Sequence, residues 1–238
     1  MKKRGLILLL ILIHSAAFAQ EDYFSSNSTI SVTYKINPNF FLNAEGNLRA
    51  YEDFSVPDYY EMKASGGYNL SEYHKLSVGF GKNGYYENEL FDKREFQVWL
   101  QDAIELKSGK YTFENRLRAE KSWFYEPVIK KYSDRIRLRY RLNISVPLTA
   151  ETVKGGALSA NVYDEVFFIT NRSPSLARNV IYGGLKYQLD ENLAVASGYH
   201  FQREFARKGN VNYHMLYFAI LISIDGSGNK TASSGKTD

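Results

Sequence analysis

The chain alternates hydrophobic and polar residues with a period of two in eleven separate segments. The most regular is SDRIRLRYRLNI, in which arginine stands at every second position from 135 to 141. Side chains of a β-strand point alternately to the two faces of a sheet, so these arginines share one face. The other face carries Ile136, Leu138, Tyr140 and Leu142. This segment is therefore predicted to be a strand with one basic and one apolar face.

The other ten segments are also about ten residues long, which is the length that a tilted strand needs to cross a membrane. Before the arginine segment they are TISVTYKI, FLNAEGNLRAY, YYEMKASGGYNL, KLSVGFGKNGYY, REFQVWLQDAIEL and YTFENRLRAEKSW; after it they are LSANVYDEVFFI, NVIYGGLKYQLD, LAVASGYHFQREF and VNYHMLYFAILISI. Short turns such as Asn37-Pro38-Asn39 alternate with longer links such as 52–58. This alternation is typical of up-and-down hairpins.

Three structures explain a strand with one basic face. An antiparallel sheet with one wet face is common in soluble proteins. A row of cations can also follow the phosphates of a nucleic acid. The third structure is the wall of a membrane barrel, which is apolar towards lipid and polar towards the lumen.

The N-terminus separates these interpretations. The stretch MKKRGLILLLILIHSAAFAQ has three basic residues, an apolar run from Leu6 to Ile13 and the small-residue ending Ala17-Phe18-Ala19. These features are typical of a secretory signal peptide cleaved before Gln20, and the apolar run is too short for a membrane anchor. We therefore expect a signal peptide over residues 1–19, a barrel over 20–225 and a flexible Gly/Ser/Lys tail over 226–238.

Export changes the charge balance. The chain has a formal net charge of +4 at pH 7, and loss of Lys2, Lys3 and Arg4 leaves about +1, because every acidic residue lies later in the sequence. A near-neutral exported chain argues against a nucleic-acid partner. Cysteine is absent, so no thiolate metal site or disulfide framework is available. We expect no metal and no cofactor.

The remaining composition favours the membrane barrel. The 19 tyrosines and 15 phenylalanines suit strands and the aromatic girdles of membrane barrels. No segment after the signal is long and apolar enough for a membrane helix. The predicted fold is all-β: an up-and-down antiparallel transmembrane β-barrel of roughly 10–12 strands with a polar, charged lumen. Because bacterial single-chain barrels have even strand numbers, eleven segments imply that a strand hides near Glu21–Asn27 or that one segment is not a wall strand.

The arginine row is predicted to form part of an ion-pair network in the lumen. With a loop from Trp123 to Tyr132, one hairpin register sets Glu120 opposite Arg135 and Glu114 opposite Arg141. The predicted lumen charge network is Glu114, Arg116, Arg118, Glu120, Arg135, Arg137, Arg139, Arg141 and Glu165.

Within this network, arginines of the two strands also face each other, and Glu165 and Glu105 are the carboxylates expected to relieve that repulsion. An anion-selective constriction is the alternative role for the arginines. We favour the network, because small barrels are usually filled by side chains.

Two acidic residues disagree with the membrane barrel. Asp102 and Asp164 fall on the faces assigned to lipid, where a charge is unfavourable. Either a bulge turns each aspartate inward, or the predicted register is locally wrong. A soluble, secreted β-barrel that binds a small ligand is the structural alternative, and these residues favour it.

A lipid hydrolase of the phospholipase or lipid A deacylase type is the enzymatic alternative. Such barrels carry serine and histidine on the lipid-facing wall near the outer leaflet. His214 is predicted at that depth, but the nearest serine on that face of the neighbouring strand, Ser197, is expected opposite Phe218. About four residues of strand, roughly 13 Å, would separate Ser197 from His214, which is beyond the reach of a nucleophile and its base. His200 is predicted to be a hydrogen-bonded interior residue.

The stretches RLRAEKSWFY, YSDRIRLRYRLNISVPL, YDEVFF and GYHFQREFARKGNVNYHMLYFAILISI resemble an uncharacterised family of small outer-membrane β-barrels found mainly in Bacteroidetes. The resemblance extends over approximately Ser28 to Ile224. It implies an outer-membrane location and no activity. We expect a non-enzymatic small-solute channel or a structural or interaction barrel, with outer-membrane lipid and a solute or protein at outer loops as partners. Phe124, Tyr125 and Arg172 are the loop residues expected to matter for such binding.

Overall fold

The computed structural model describes residues 21–51, 56–87, 90–149, 155–170, 175–206 and 209–226. The predicted signal peptide and the predicted tail lie outside the described residues, apart from Gly226. Eleven strands make up nearly all of the described chain. They are β1 (Glu21–Lys35), β2 (Phe40–Tyr51), β3 (Val56–Ser71), β4 (His74–Glu87), β5 (Leu90–Ser108), β6 (Tyr111–Glu126), β7 (Lys131–Pro147), β8 (Leu158–Ile169), β9 (Leu176–Gln188), β10 (Leu193–Glu204) and β11 (Val211–Asp225).

The strands form one closed barrel in which each strand pairs with its neighbours in the chain. All of these consecutive pairs are antiparallel, and β1 closes the barrel against β11 in parallel. The parallel pair is a consequence of the odd strand number, since the first and last strands of an up-and-down barrel then run in the same direction. The predicted all-β, up-and-down antiparallel barrel of 10–12 strands is confirmed. The segment Glu21–Asn27 is the first half of β1 and not a hidden twelfth strand.

The strands are strongly tilted. Starting at Glu21 and stepping from partner to partner once around the barrel, the path returns to β1 at Lys35, 14 residues further along. This offset is about 46 Å at the rise of a strand, around a circumference of about 53 Å for eleven strands. The tilt to the barrel axis is therefore about 40°, within the range of closed barrels.

The two ends of the barrel differ. At one end the strands are joined through 36–39, 72–73, 109–110, 148–157 and 189–192; we call this the turn end. At the other end they are joined through 52–55, 88–89, 127–130, 170–175 and 205–210; we call this the loop end. Because the strand number is odd, β1 begins at the loop end and β11 finishes at the turn end.

The inside of the barrel is polar and the outside is apolar. The most deeply buried side chains include Glu95, Gln97, Glu120 and Ser122, all of which face the lumen. Large apolar side chains such as Leu100, Phe80 and Ile220 are exposed on the outer face. Within the described residues there is no helix long and apolar enough to cross a membrane.

Candidate lumen site

The hairpin of β6 and β7 brings the predicted charge network together, but in a different register. Glu120 lies opposite Arg137 and not opposite Arg135. The predicted register was wrong by two residues because the strands continue to Glu126 and Lys131, which leaves a loop of only four residues. A shift of two residues keeps every side chain on its face, so the arginines still point into the lumen.

Glu120 lies at the centre of the network. Its side chain is fully buried, and its carboxylate accepts a hydrogen bond from Arg137 Nε at 2.5 Å and one from Arg139 Nη1 at 2.7 Å. Arg118 Nη1 is 3.6 Å from the same carboxylate. A buried carboxylate is stable only when it is both paired and hydrogen-bonded. Glu120 satisfies both conditions through three guanidinium groups.

Glu165, on β8, is the second centre of the network. Its Oε1 accepts hydrogen bonds from Arg116 Nη2 at 2.6 Å and from Arg139 Nε at 2.9 Å. Arg139 therefore bridges Glu120 and Glu165. This arrangement compensates the direct opposition of arginines across the hairpin, where Arg118 faces Arg139.

The turn-end part of the network differs from the prediction. Glu114 lies opposite Asn143 and not opposite Arg141, yet it reaches Arg141 diagonally, with Oε1 at 2.7 Å from Nη2. The expectation that Glu105 relieves the arginines was wrong, because its charged partner is Lys107 at 3.9 Å on its own strand. On β5 that role belongs to Gln101, whose Oε1 accepts two hydrogen bonds from Arg118, at 2.8 and 2.5 Å.

Sequence analysis missed a member of the network. Glu95, on β5, lies 3.0 Å from Arg135 Nη2 and is almost fully buried. The two residues lie on β5 and β7, which are separated by β6. Their contact therefore depends on the curvature of the barrel and not on the pairing of neighbouring strands. Alternation in REFQVWLQ places Glu95 and Gln97 on the lumen face, and that signal was sufficient to include Glu95.

Aromatic rings support the guanidinium groups of the network. Phe167 lies beneath Arg137, Arg139 and Arg178, whose Cζ atoms are 5.2, 4.4 and 5.2 Å from the ring centroid. Arg135 lies 4.7 Å from the ring of Phe124. Cation–π contacts of this kind are strongest where the cation has lost water. Phe124 is therefore a buried lumen residue of β6. Tyr125 also lies on β6, opposite Tyr132, so the assignment of both residues to an outer loop was wrong. Arg172 lies outside the described residues.

The lumen contains a cavity of about 1260 Å³. At the loop end it is lined by residues such as Tyr23, Tyr51 and Val211, and its deepest lining residues include Asn161 and Leu221. All six arginines of the predicted network line it. Glu120 and Glu114 do not line the cavity. Ten arginine and lysine side chains and seven carboxylates do, so the lining has an excess of three positive charges.

Aromatic rings form a second cluster in the lumen, on β8, β9, β10 and β11. His200 Nε2 lies 2.5 Å from the hydroxyl oxygen of Tyr163, which is the interior hydrogen bond predicted for this histidine. The rings of Tyr182 and Tyr217 lie 4.9 Å from the imidazole, measured between centroids. Tyr182 lies over Gly198, where a Cβ atom would be 2.6 Å from the ring. Absence of a side chain at Gly198 therefore makes room for the ring.

Both anomalous aspartates point outward and have polar partners. Asp102 Oδ1 lies 2.6 Å from His74 Nε2, and Asp164 Oδ1 accepts a hydrogen bond of 2.5 Å from Asn179. No register shift separates Asp102 or Asp164 from the adjoining residues of its own strand. The proposed inward bulge was therefore wrong, and each aspartate keeps the outward face that alternation predicts.

The serine and histidine predicted for a lipid hydrolase do not come together. Ser197 lies opposite Phe218, as predicted, four residues from His214 along β11. His214 Nδ1 is instead hydrogen-bonded to the hydroxyl of Tyr199, and its Nε2 is 3.7 Å from Asp22. In the part of the chain that the structure describes, no group of three or more metal-binding side chains is present either.

These features define a class of protein: a closed, up-and-down β-barrel with an ion-paired, arginine-rich lumen and an apolar outer surface. The chain belongs to a family described as "Protein of unknown function (DUF2490)", which matches residues 25–213. The predicted resemblance to an uncharacterised family is thereby confirmed. No curated protein matches the chain.

Proposed function

We propose that this protein is a non-enzymatic barrel of the outer membrane that admits small solutes to its lumen and favours anions. The observation that carries the proposal is the arginine-lined cavity of about 1260 Å³ inside a barrel that is apolar outside. Export by a cleaved signal peptide, inferred from residues 1–19, supports the outer-membrane location.

The outer surface supports embedding in a membrane. Successive residues of β11 that face outward are Leu216, Phe218, Ile220, Ile222 and Ile224, and several of them are nearly half exposed. A soluble monomer rarely exposes a continuous apolar surface of this size. In a lipid bilayer the same surface is buried, and each apolar side chain contributes favourably.

The lumen supports small anions as the preferred solute. Guanidinium groups are obligatory donors with a fixed positive charge, and rings of arginine serve anion pores. Arg137 and Arg139 lie in the middle of β7 and line the cavity. Their carboxylate partner Glu120 does not line it. The excess of basic over acidic side chains in the cavity lining therefore favours anions over cations.

Conductance tests the proposal most directly. The mature protein is refolded, its heat-dependent gel mobility is checked, and single-channel currents are recorded in a planar bilayer with a KCl gradient. We expect small discrete currents with a reversal potential that indicates anion preference. Arg137→Gln should reduce that preference, whereas Lys82→Gln, which removes a charge from the outer face, should leave it unchanged.

The alternative outcomes have separate meanings. A folded barrel that inserts but conducts nothing contradicts solute passage and shows that the network plugs the lumen. A protein that folds without detergent and does not enter bilayers contradicts the membrane location and favours the soluble ligand-binding barrel. Equal currents for chloride and potassium contradict the anion preference alone.

A further inference from the structure

Near the loop end, the lumen has two unlike walls. One wall is a cluster of tyrosines from β1, β2 and β11. The ring centroids of Tyr23 and Tyr213 are 5.6 Å apart with planes at 24°, and those of Tyr51 and Tyr213 are 6.2 Å apart at 21°. Tyr23 and Tyr51 are 5.9 Å apart. All three line the cavity, and Tyr23 is 41% exposed. We call these three residues the tyrosine platform.

The other wall is basic. Arg135, Arg137 and Arg178 lie over the rings of Phe124 and Phe167 and line the same cavity. Among the ion-paired arginines that line the cavity, Arg178 has the most exposed side chain, at 30%. We call Arg135, Arg137 and Arg178 the arginine cluster.

The arginine cluster has more hydrogen-bond donors than its ion pairs use. A guanidinium group has five donors and no acceptor. Arg178 Nη2 contacts Glu204 at 2.5 Å and Arg135 Nη2 contacts Glu95 at 3.0 Å. Donors that face the cavity can bind the oxygen atoms of an oxyanion in bidentate geometry.

The two walls line the same cavity. Arg178, on β9, and Arg49, on β2, are both among its lining residues. Arg49 in turn lies over the ring of Tyr51 at 5.3 Å and that of Tyr213 at 5.2 Å. A basic side chain therefore also lies beside the tyrosine platform. The cavity that both walls face, about 1260 Å³ over the whole lumen, has room for a small molecule.

We propose that the loop-end part of the lumen is a binding site for a small ring-shaped solute that carries a carboxylate or phosphate group. The ring packs on the tyrosine platform, and the oxyanion binds the arginine cluster. This inference rests on the proposed function, because it names the class of solute that the lumen accepts. A neutral ring would contact the tyrosine platform alone, and an oxyanion without a ring would contact the arginine cluster alone.

Calorimetric titration of the folded, detergent-solubilised protein tests the proposal without requiring conduction. The probes are glucuronate, glucose 6-phosphate, glucose and inorganic phosphate, each titrated separately at low salt. We expect glucuronate or glucose 6-phosphate to bind at least tenfold more tightly than both glucose and inorganic phosphate, because only the acidic sugars contact both walls. The stronger of the two acidic sugars then distinguishes a carboxylate site from a phosphate site.

Three variants locate the site. Arg178→Gln should weaken the acidic sugar at least tenfold and leave glucose unaffected. Tyr23→Leu should weaken the acidic sugar and leave inorganic phosphate unaffected. Arg94→Gln removes an equal charge from the exposed outer face of β5 and should leave every affinity unchanged. Heat-dependent gel mobility of each variant verifies that it is folded.

The proposal is overturned if neither acidic sugar binds, if glucose or inorganic phosphate binds as tightly as the acidic sugars, or if Arg94→Gln weakens binding as much as Arg178→Gln. None of these results bears on conduction of chloride, so the proposed function can survive them. Conversely, the barrel could conduct no current and still bind glucuronate in a manner that depends on Arg178. That result would support the binding site and contradict only the channel function.

Discussion

The inner and outer faces of this barrel carry opposite kinds of side chain. On β7, Arg137 points inward and is 8% exposed, while the next residue, Leu138, points outward and is 40% exposed. Inside, charged groups form networks in which one carboxylate serves several arginines, as Glu120 does. Outside, polar groups occur as separate pairs such as Asp164 with Asn179. Shared ion pairs of this kind therefore compensate for the burial of charged side chains inside the barrel.

The largest effect is expected at the centre of the inner network. Glu120→Gln leaves Arg137 and Arg139 without their common carboxylate in a buried position. Removing one partner of a buried ion pair typically costs about 3–5 kcal/mol, and we expect a loss of that size in the free energy of unfolding. Urea unfolding of the detergent-solubilised protein, followed by gel mobility and tryptophan fluorescence, measures it.

The matched control is Glu114→Gln at the edge of the same network. Glu114 and its partner Arg141 are 31% and 22% exposed, so water can replace the lost interaction. We expect a cost of roughly 1 kcal/mol or less, as for exposed ion pairs. Equal costs at Glu114 and Glu120 would mean that connection within the network contributes nothing.

Neighbouring glycines on β9 and β10 allow a second comparison of the two faces. At the inward-facing Gly198, a Cβ would lie 2.6 Å from both the Tyr182 ring and the carbonyl oxygen of Gly183. At the outward-facing Gly183, a Cβ meets nothing within 4 Å. Gly198→Ala should therefore lower the free energy of unfolding by about 1–3 kcal/mol through overpacking.

Gly183→Ala should have the opposite sign. Alanine in a strand is favoured over glycine by roughly 0.5–1 kcal/mol, because glycine loses more backbone freedom on folding. Parallel urea titrations of both alanine variants provide the comparison. A stabilising Gly198→Ala would show that the Tyr182 ring does not occupy the space above the glycine.

Sequence periodicity was sufficient to assign the faces but not the register. A shift of two residues leaves the alternation unchanged, so the pattern of β6 and β7 fits both the predicted pairing and the observed one. The observed pairing depends on the four-residue loop, in which Lys130 has a positive φ of 51°. No Gly-rich signal marks this loop, because the residue that adopts the left-handed conformation is a lysine.

The periodic pattern of the sequence also could not predict how the barrel closes. Residues Tyr23, Phe24, Ser25 and Ser26 do not alternate, so the sequence did not show that Glu21–Asn27 continues into the strand TISVTYKI. The contact of Glu95 with Arg135 passes over an intervening strand, and contacts of this kind depend on curvature. The faces of the candidate site were thus predictable, whereas its pairings required the closed structure.

An effect not much larger than that of Gly183→Ala or Glu114→Gln is expected for the outward pair of Asp164 and Asn179, and its sign tests whether the outer face meets lipid or water. Replacing Asp164 and Asn179 together by leucine removes a charge and a hydrogen bond of 2.5 Å from an otherwise apolar surface. In lipid vesicles, where a charge on this face is unfavourable, we expect the double variant to gain about 1 kcal/mol in free energy of unfolding. A soluble barrel would gain nothing from the change and would become less soluble, because two exposed polar groups are lost. Urea unfolding in vesicles and sedimentation without detergent separate these outcomes, and a clear loss of stability in vesicles would show that the pair is required structurally.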